Sequence, residues 1–439
     1  MRAMALATLA SASMALASDS ATNVAPYRDA AHDVPAGRGF RLRSELRRTA
    51  VASAEAVSRA FVTVAEQDSQ RSPLDSPEVA VSADGRFVAF VSYVRLVPAD
   101  TNALRDVYVL DRTSGDVSLE SVGADGITAD ADSQNPSISA DGATLVYESW
   151  GQVWLRDRNS GITKTIAAGA DPSISDDGRV VVFDSRGVNV VPGPDANGDG
   201  DDIYLYEVTT GRLRRISVTS AGVQPSSGGS VSPRISADGR YVVFGSTAPL
   251  TAADRSARPP SRVYVHDNHT GTTRELSQGW GPAISADGRF VAFVSGASNL
   301  VPGDRNRSSD VFIADTRTGT IELVSRSAGG GSANGASLNP TLSDDGRFVA
   351  FQSTASDLIC KDRCGGADED INLLWDVFLF DRNAGVMMRI SADAAGSWME
   401  ASAGPALDAT GSVIAFSSRH AIGPADTKND FDLFIARLK

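Results

Sequence analysis

The chain has 439 residues, a formal net charge of −13 and a pI near 4.8. That acidic balance works against nucleic acid or an anionic membrane surface as the main partner. With two cysteines and four histidines, the chain is poor in the side chains that most zinc and nucleophile–base sites are built from.

At the N-terminus, Met1-Arg2 leads into an alanine-rich apolar run that ends Ala15-Leu16-Ala17. This reads as a secretory signal peptide, residues 1–17, cut after Ala17, so export to the periplasm or beyond the cell is expected. No other stretch is long and apolar enough to span a membrane. Residues 18–60 read as disordered, becoming partly helical from Leu42. Phe61–Gln67 then alternates as a strand does.

From Val81 the chain turns repetitive. The segment VSADGRFVAF, Val81–Phe90, recurs with drift in seven copies, around Gly85, Gly142, Gly178, Gly239, Gly288, Gly346 and Gly411. Each copy reads as two strands about an Asp-Gly turn. Asp bonds backbone amides ahead of it, and Gly takes positive φ without a Cβ clash. A second hairpin follows each of the first six copies, for example DVFIADTRTGTIELVS from Asp310 to Ser325. One unit is therefore four antiparallel strands, A to D. Seven units at 36- to 65-residue spacing predict an all-β fold, a seven-bladed β-propeller over 61–439. The last copy supplies three strands, and Phe61–Glu66 is expected to add the fourth and close the ring, which removes exposed sheet edges.

The motif SxDGRxVAF, seven times in register and followed six times by DVYxxDxxTG, resembles the PD40 repeat of TolB-like propellers. The resemblance implies a ring that presents one end to a protein or surface polymer. Propellers of this kind precede a hydrolase domain in prolyl-oligopeptidase-like enzymes, and none follows the repeats here. A pectin-degrading branch uses a histidine-rich metal site, for which this chain has too few histidines.

Insertions between strands B and C carry a second pattern. Asp100, Asn102 and Asp106 recur in spacing as Asp304, Asn306 and Asp310, while the third copy holds Asp195, Asn197, Asp199 and Asp201 ahead of Asp202. Oxygen side chains on alternate loop residues suit a structural calcium ion, which takes six to eight oxygens. The same residues also cap turns by bonding local amides, so both readings stand. Cys360 and Cys364, in the sixth insertion, are expected to form a disulfide in an exported chain.

No G-x-S-x-G or H-E-x-x-H motif occurs. His266 and His269 flank an outer hairpin, where exposure is expected, and the five tryptophans read as packing residues. The expected function is that of an exported, monomeric, non-catalytic binding scaffold. The alternative is a hydrolase or lyase of polysaccharide or peptide, using two channel carboxylates about 5–9 Å apart.

Overall fold

Each SxDGR turn is held by its own side chains. In the fifth repeat the Ser285 hydroxyl donates to Asp287 Oδ1 at 2.9 Å, and the Arg289 N–H donates to the same oxygen at 2.9 Å. The Phe290 N–H closes the loop on Ser285 Oγ at 2.9 Å. Gly288 sits at φ +70°, where a Cβ would be strained. In the seventh repeat the two oxygens exchange places. Asp408 takes the serine position and accepts from the Val413 N–H at 3.0 Å, while the Thr410 hydroxyl donates to Asp408 Oδ2 at 3.0 Å.

The turn arginine has two partners. Arg289 lies over the Phe290 ring at 4.7 Å and pairs with Asp315 at the end of strand C at 2.8 Å. Arg86, Arg240 and Arg347 repeat this with Asp111, Asp267 and Asp381. The "GR" of one motif and the final Asp of "DVYVLD" are thus two halves of one contact.

The computed structural model describes residues 58–59, 79–93, 95–123, 129–187, 189–251, 260–359, 374–391, 401–419 and 432–438. These form seven antiparallel four-stranded sheets, with no helix among the described residues. Blade one has strands B, C and D at Phe87–Ser92, Asp106–Asp111 and Val117–Leu119. In blade three, A to D are Ala170–Ile174, Val180–Ser185, Asp202–Glu207 and Arg212–Arg215. In blade five they are Trp280–Ile284, Phe290–Ser295, Asp310–Asp315 and Ile321–Leu323. Blade seven takes its fourth strand from Ser58–Arg59, which pairs antiparallel with Arg437 and Ala436. That strand lies within the segment expected ahead of the propeller. The expected Phe61–Glu66 strand falls outside the described residues. Alternation locates a strand's faces but not which residues meet the partner.

One repeated contact holds each blade together and two join it to its neighbours. Strand B is buried on both faces, and its fourth residue packs on an aromatic ring of strand C in the same blade. Phe90–Tyr108, Phe183–Tyr204 and Phe293–Phe312 all lie with centroids 5.8 Å apart. The first residue of strand B packs on the turn glycine of the next blade, where a Cβ on Gly142 would overlap the Phe87 ring and one on Gly288 the Tyr241 ring. Finally, the turn amides form a cycle. The Ala83 N–H donates to Ala140 O, and the donation passes through Asp176, Ala237, Ala286, Asp344 and Ala409 before returning to Ala83 O, at 2.8 to 3.1 Å throughout.

Candidate functional site

At the other end of strands A, where the B–C insertions leave, the innermost strands share a kink. The residue before proline is left-handed in six blades. Asn135, Asp171, Ser232 and Asn339 have φ between 47° and 55°, and Gly281 and Gly404 have 55° and 63°. Each kink coincides with a register shift against strand B, because a left-handed residue turns the chain out of the strand and the proline after it has no N–H to give the ladder. The A strands contact one another in ring order, so these kinks surround the axis.

The kinks meet the fifth residue of strand B. In blade two, Asn135 Nδ2 donates to Glu148 Oε2 at 3.1 Å and to Asp171 Oδ1 of blade three at 2.9 Å. One nitrogen therefore holds two carboxylate oxygens within about 6 Å of each other. Asp184 Oδ2 accepts from the Ser232 N–H of blade four at 3.0 Å. Asp184 is 6% exposed, and burial, with repulsion from Asp171, Asp201 and Glu148, pushes it up to about 8. In blade six, Gln352 Oε1 accepts from the Gly404 N–H at 3.0 Å and Asn339 Nδ2 at 3.2 Å. Reading the repeats had missed this acidic group. Its signal was the strand-B position where Glu148, Asp184 and Gln352 replace Val91, Gly245 and Val294.

The insertion residues divide by blade. In blade one, Asp100 accepts from the Tyr108 hydroxyl at 2.6 Å and the Asn102 N–H at 3.1 Å. Asp106 Oδ1 accepts from the Ser121 hydroxyl at 2.5 Å, and burial pushes Asp106 up to about 6. In blade five, Asp310 Oδ1 accepts from the Ser325 hydroxyl at 2.7 Å, and its Oδ2 from Asn306 Nδ2 at 2.8 Å. Burial likewise pushes Asp310 up to about 6. In blade three, Gln224 Nε2 lies 2.7 Å from both Asp195 Oδ1 and Asp202 Oδ2, and also bonds Asn197 Oδ1. Arg215 pairs with Asp195 at 3.6 Å and Asp202 at 3.1 Å. Asp199 is exposed, and Asp201 pairs with Arg186 at 3.0 Å, so neither joins that group. Cys360 and Cys364 lie outside the described residues. No three His, Cys, Asp or Glu side chains form a metal group among the described residues.

The three asparagines share a further task. Asn102, Asn197 and Asn306 each donate Nδ2 to a carbonyl on the segment entering the next blade, Ala129, Gly228 and Ala333, at 2.7, 3.0 and 2.7 Å. Each insertion is thereby tied to its neighbour.

Two tryptophans depart from expectation. Trp150 is 64% exposed and Trp280 41%. Trp150 and Gly151, at φ 57° and 63°, form the tight turn that joins strands B and C of blade two, and the indole N–H donates to Asp130 at 3.0 Å. Val223, Val231 and Leu374 are also exposed on loops or strand ends of this face. His266 is buried instead of exposed, bonded through Nδ1 to Thr273 at 2.9 Å and pushed down to about 4 by burial.

These features define a seven-bladed β-propeller with one elaborated face. No protein-family model matches the sequence, and no curated protein does. Among solved structures, the oligogalacturonate lyase of Vibrio parahaemolyticus is similar over 86% of this chain and 96% of its own, at 14% identity and a TM-score of 0.52. The β-propeller domain of the Trilobed protease from Pyrococcus furiosus is similar over 82% and 91%, at 11% identity and 0.51. TolB from Acinetobacter baumannii is similar at 18% identity and 0.42, over 70% of this chain but only 64% of its own length. At these identities the likeness is one of fold.

Proposed function

We propose that this chain is an exported binding propeller that engages a protein or surface polymer with its insertion-bearing face. The observation that carries the reading is the exposure of Trp150 and Trp280 on that face, beside loops that Asn102, Asn197 and Asn306 tie down. An exposed aromatic on a fixed frame offers contact area at low entropic cost, which is what recognition sites use. Export rests on the segment ending at Ala17.

The test is quenching of tryptophan emission on titration with purified envelope polysaccharides and with envelope proteins, in the full chain and in Trp150→Ala and Trp280→Ala. Saturable binding lost in either variant supports the reading. Binding that survives the double substitution unchanged would move the site off this face.

A second reading is supported by the carboxylates. Glu148 and Asp171 within about 6 Å, beside an Asp184 that holds its proton near neutrality, make a pair of the kind polysaccharide hydrolases use. It predicts slow turnover of an acidic or neutral glycan that Glu148→Gln abolishes while binding persists. Turnover unaffected by Glu148→Gln and Asp184→Asn would exclude it.

A further inference from the structure

The chain contains its own comparison between insertions. The residue of strand D that faces the third residue of strand C is Leu119 in blade one, opposite Tyr108, and Leu323 in blade five, opposite Phe312. In blade three it is Arg215, opposite Tyr204. Four insertions read Asp-x-Asn-x-x-x-Asp, from Asp100, Asp195, Asp304 and Asp370; the first and third belong to the Leu blades, while the others belong to blades three and six, which carry Arg215 and Arg389 at that strand-D position.

The two Leu blades each hold a buried carboxylate oxygen that, among the described residues, no salt bridge and no well-formed hydrogen bond reaches. In blade one it is Oδ2 of Asp106, a residue fully buried, whose other oxygen is taken by Ser121 and whose carboxyl otherwise meets the neutral Asn102 amide. Asp100 and Asn102 stand next to it. In blade five it is Oδ1 of Asp304, a residue 7% exposed. The tyrosine hydroxyl that serves Asp100 at 2.6 Å in blade one has no counterpart there, because Phe312 replaces Tyr108. A buried carboxylate oxygen without a hydrogen bond is costly unless a cation meets it. In blade three the cation is internal, since Arg215 reaches both Asp195 and Asp202, and Gln224 fills the space between them.

We infer that blades one and five each bind a calcium ion between the insertion and the head of strand C, through Asp100, Asn102 and Asp106 and through Asp304, Asn306 and Asp310, and that Arg215 replaces the ion in blade three. Two carboxylates per site, with an amide oxygen that already accepts from the Leu104 or Ser308 N–H and has one lone pair to offer, leave the remaining ligands to backbone carbonyls and water. So low a ligand charge places the affinity in the range of extracellular calcium modules, about 10⁻⁴ to 10⁻³ M. Magnesium, which demands an octahedral shell and dehydrates reluctantly, binds more weakly.

The experiment is calorimetric titration of the EDTA-treated full chain with calcium, with magnesium as control, together with melting curves. The expected result is two calcium sites and a calcium-specific rise in melting temperature. Asp106→Asn should remove one site and Asp304→Asn the other, each weakening its site at least about tenfold. Leu323→Arg should supply blade five with an internal cation, so the folded variant loses one site yet melts no lower than the calcium-free parent. Arg215→Leu should create a third calcium-dependent contribution. No calcium-specific heat in the parent chain, or two sites that survive both Asn substitutions, would overturn the inference. The ion is the only probe, so failure here leaves the proposed binding role standing.

Discussion

Gly142→Ala is expected to destabilise the propeller by about 3 kcal/mol or more, while Gly161→Ala costs about 1 kcal/mol. Both glycines have nearly the same left-handed backbone, at φ +71° and +72°, so a Cβ strains them equally. Their surroundings differ. A methyl group at Gly161 meets nothing within 4 Å, while at Gly142 it enters the Phe87 ring of the preceding blade. Urea titration of the two variants separates blade-to-blade contact from backbone strain. Phe87→Leu should recover part of the loss in Gly142→Ala and none in Gly161→Ala, a coupling that a double-mutant cycle reads directly. Equal losses in the two glycine variants would mean that the ring yields at no cost and the seam between blades is soft.

Asp184→Asn is expected to leave the protein at least as stable as the parent at pH 8. The sign follows from the direction of the shift. Asp184 is raised from 3.8 to about 8 in the fold by burial first, then by Asp171, Asp201 and Glu148, so the folded state holds a proton that the unfolded chain releases. Its contribution is complete below about pH 4 and is lost as pH rises toward 8. The slope is at most about 1.4 kcal/mol per pH unit. Arg186 stands on Asp201 at 3.0 Å and answers that charge first. An asparagine oxygen can still accept from the Ser232 N–H, as Asp184 Oδ2 does at 3.0 Å. The measurement is melting temperature from pH 5 to 8.5 for both proteins. The variant should gain on the parent as pH rises, and a variant that falls further behind toward pH 8 would contradict a neutral Asp184.

The repeat made the fold legible because each motif letter has a local physical reason. Ser, Asp, Gly and Arg of one turn bond within six residues or to the end of the same blade's strand C, so spacing in the sequence already encodes them. The insertion residues were legible as a set but not in their ranking. Asp195 opened the most calcium-like loop, yet Arg215 and Gln224, which meet it, lie 20 and 29 residues away. Nothing in the loop announces them. The acidic group of Glu148, Asp171 and Asp184 was less legible still. It forms across blade boundaries through Asn135 and Ser232, and its members are single departures from a repeat whose regular positions drew the reading. The termini were least legible. The strand at Ser58–Arg59 is too short to carry alternation, and its place on blade seven is decided by the partner it finds.

The cycle of turn amides from Ala83 around to Ala409 and back has no first member. Every blade gives and receives the same bond, and the seventh hands on to the first as any other pair does. The covalent order of the chain is therefore one of several that this architecture could thread. New ends cut into an exposed turn such as that of Gly161, with the old ends linked, would leave all seven of those bonds in place. The fold is in this sense a circular word, written out from an arbitrary letter.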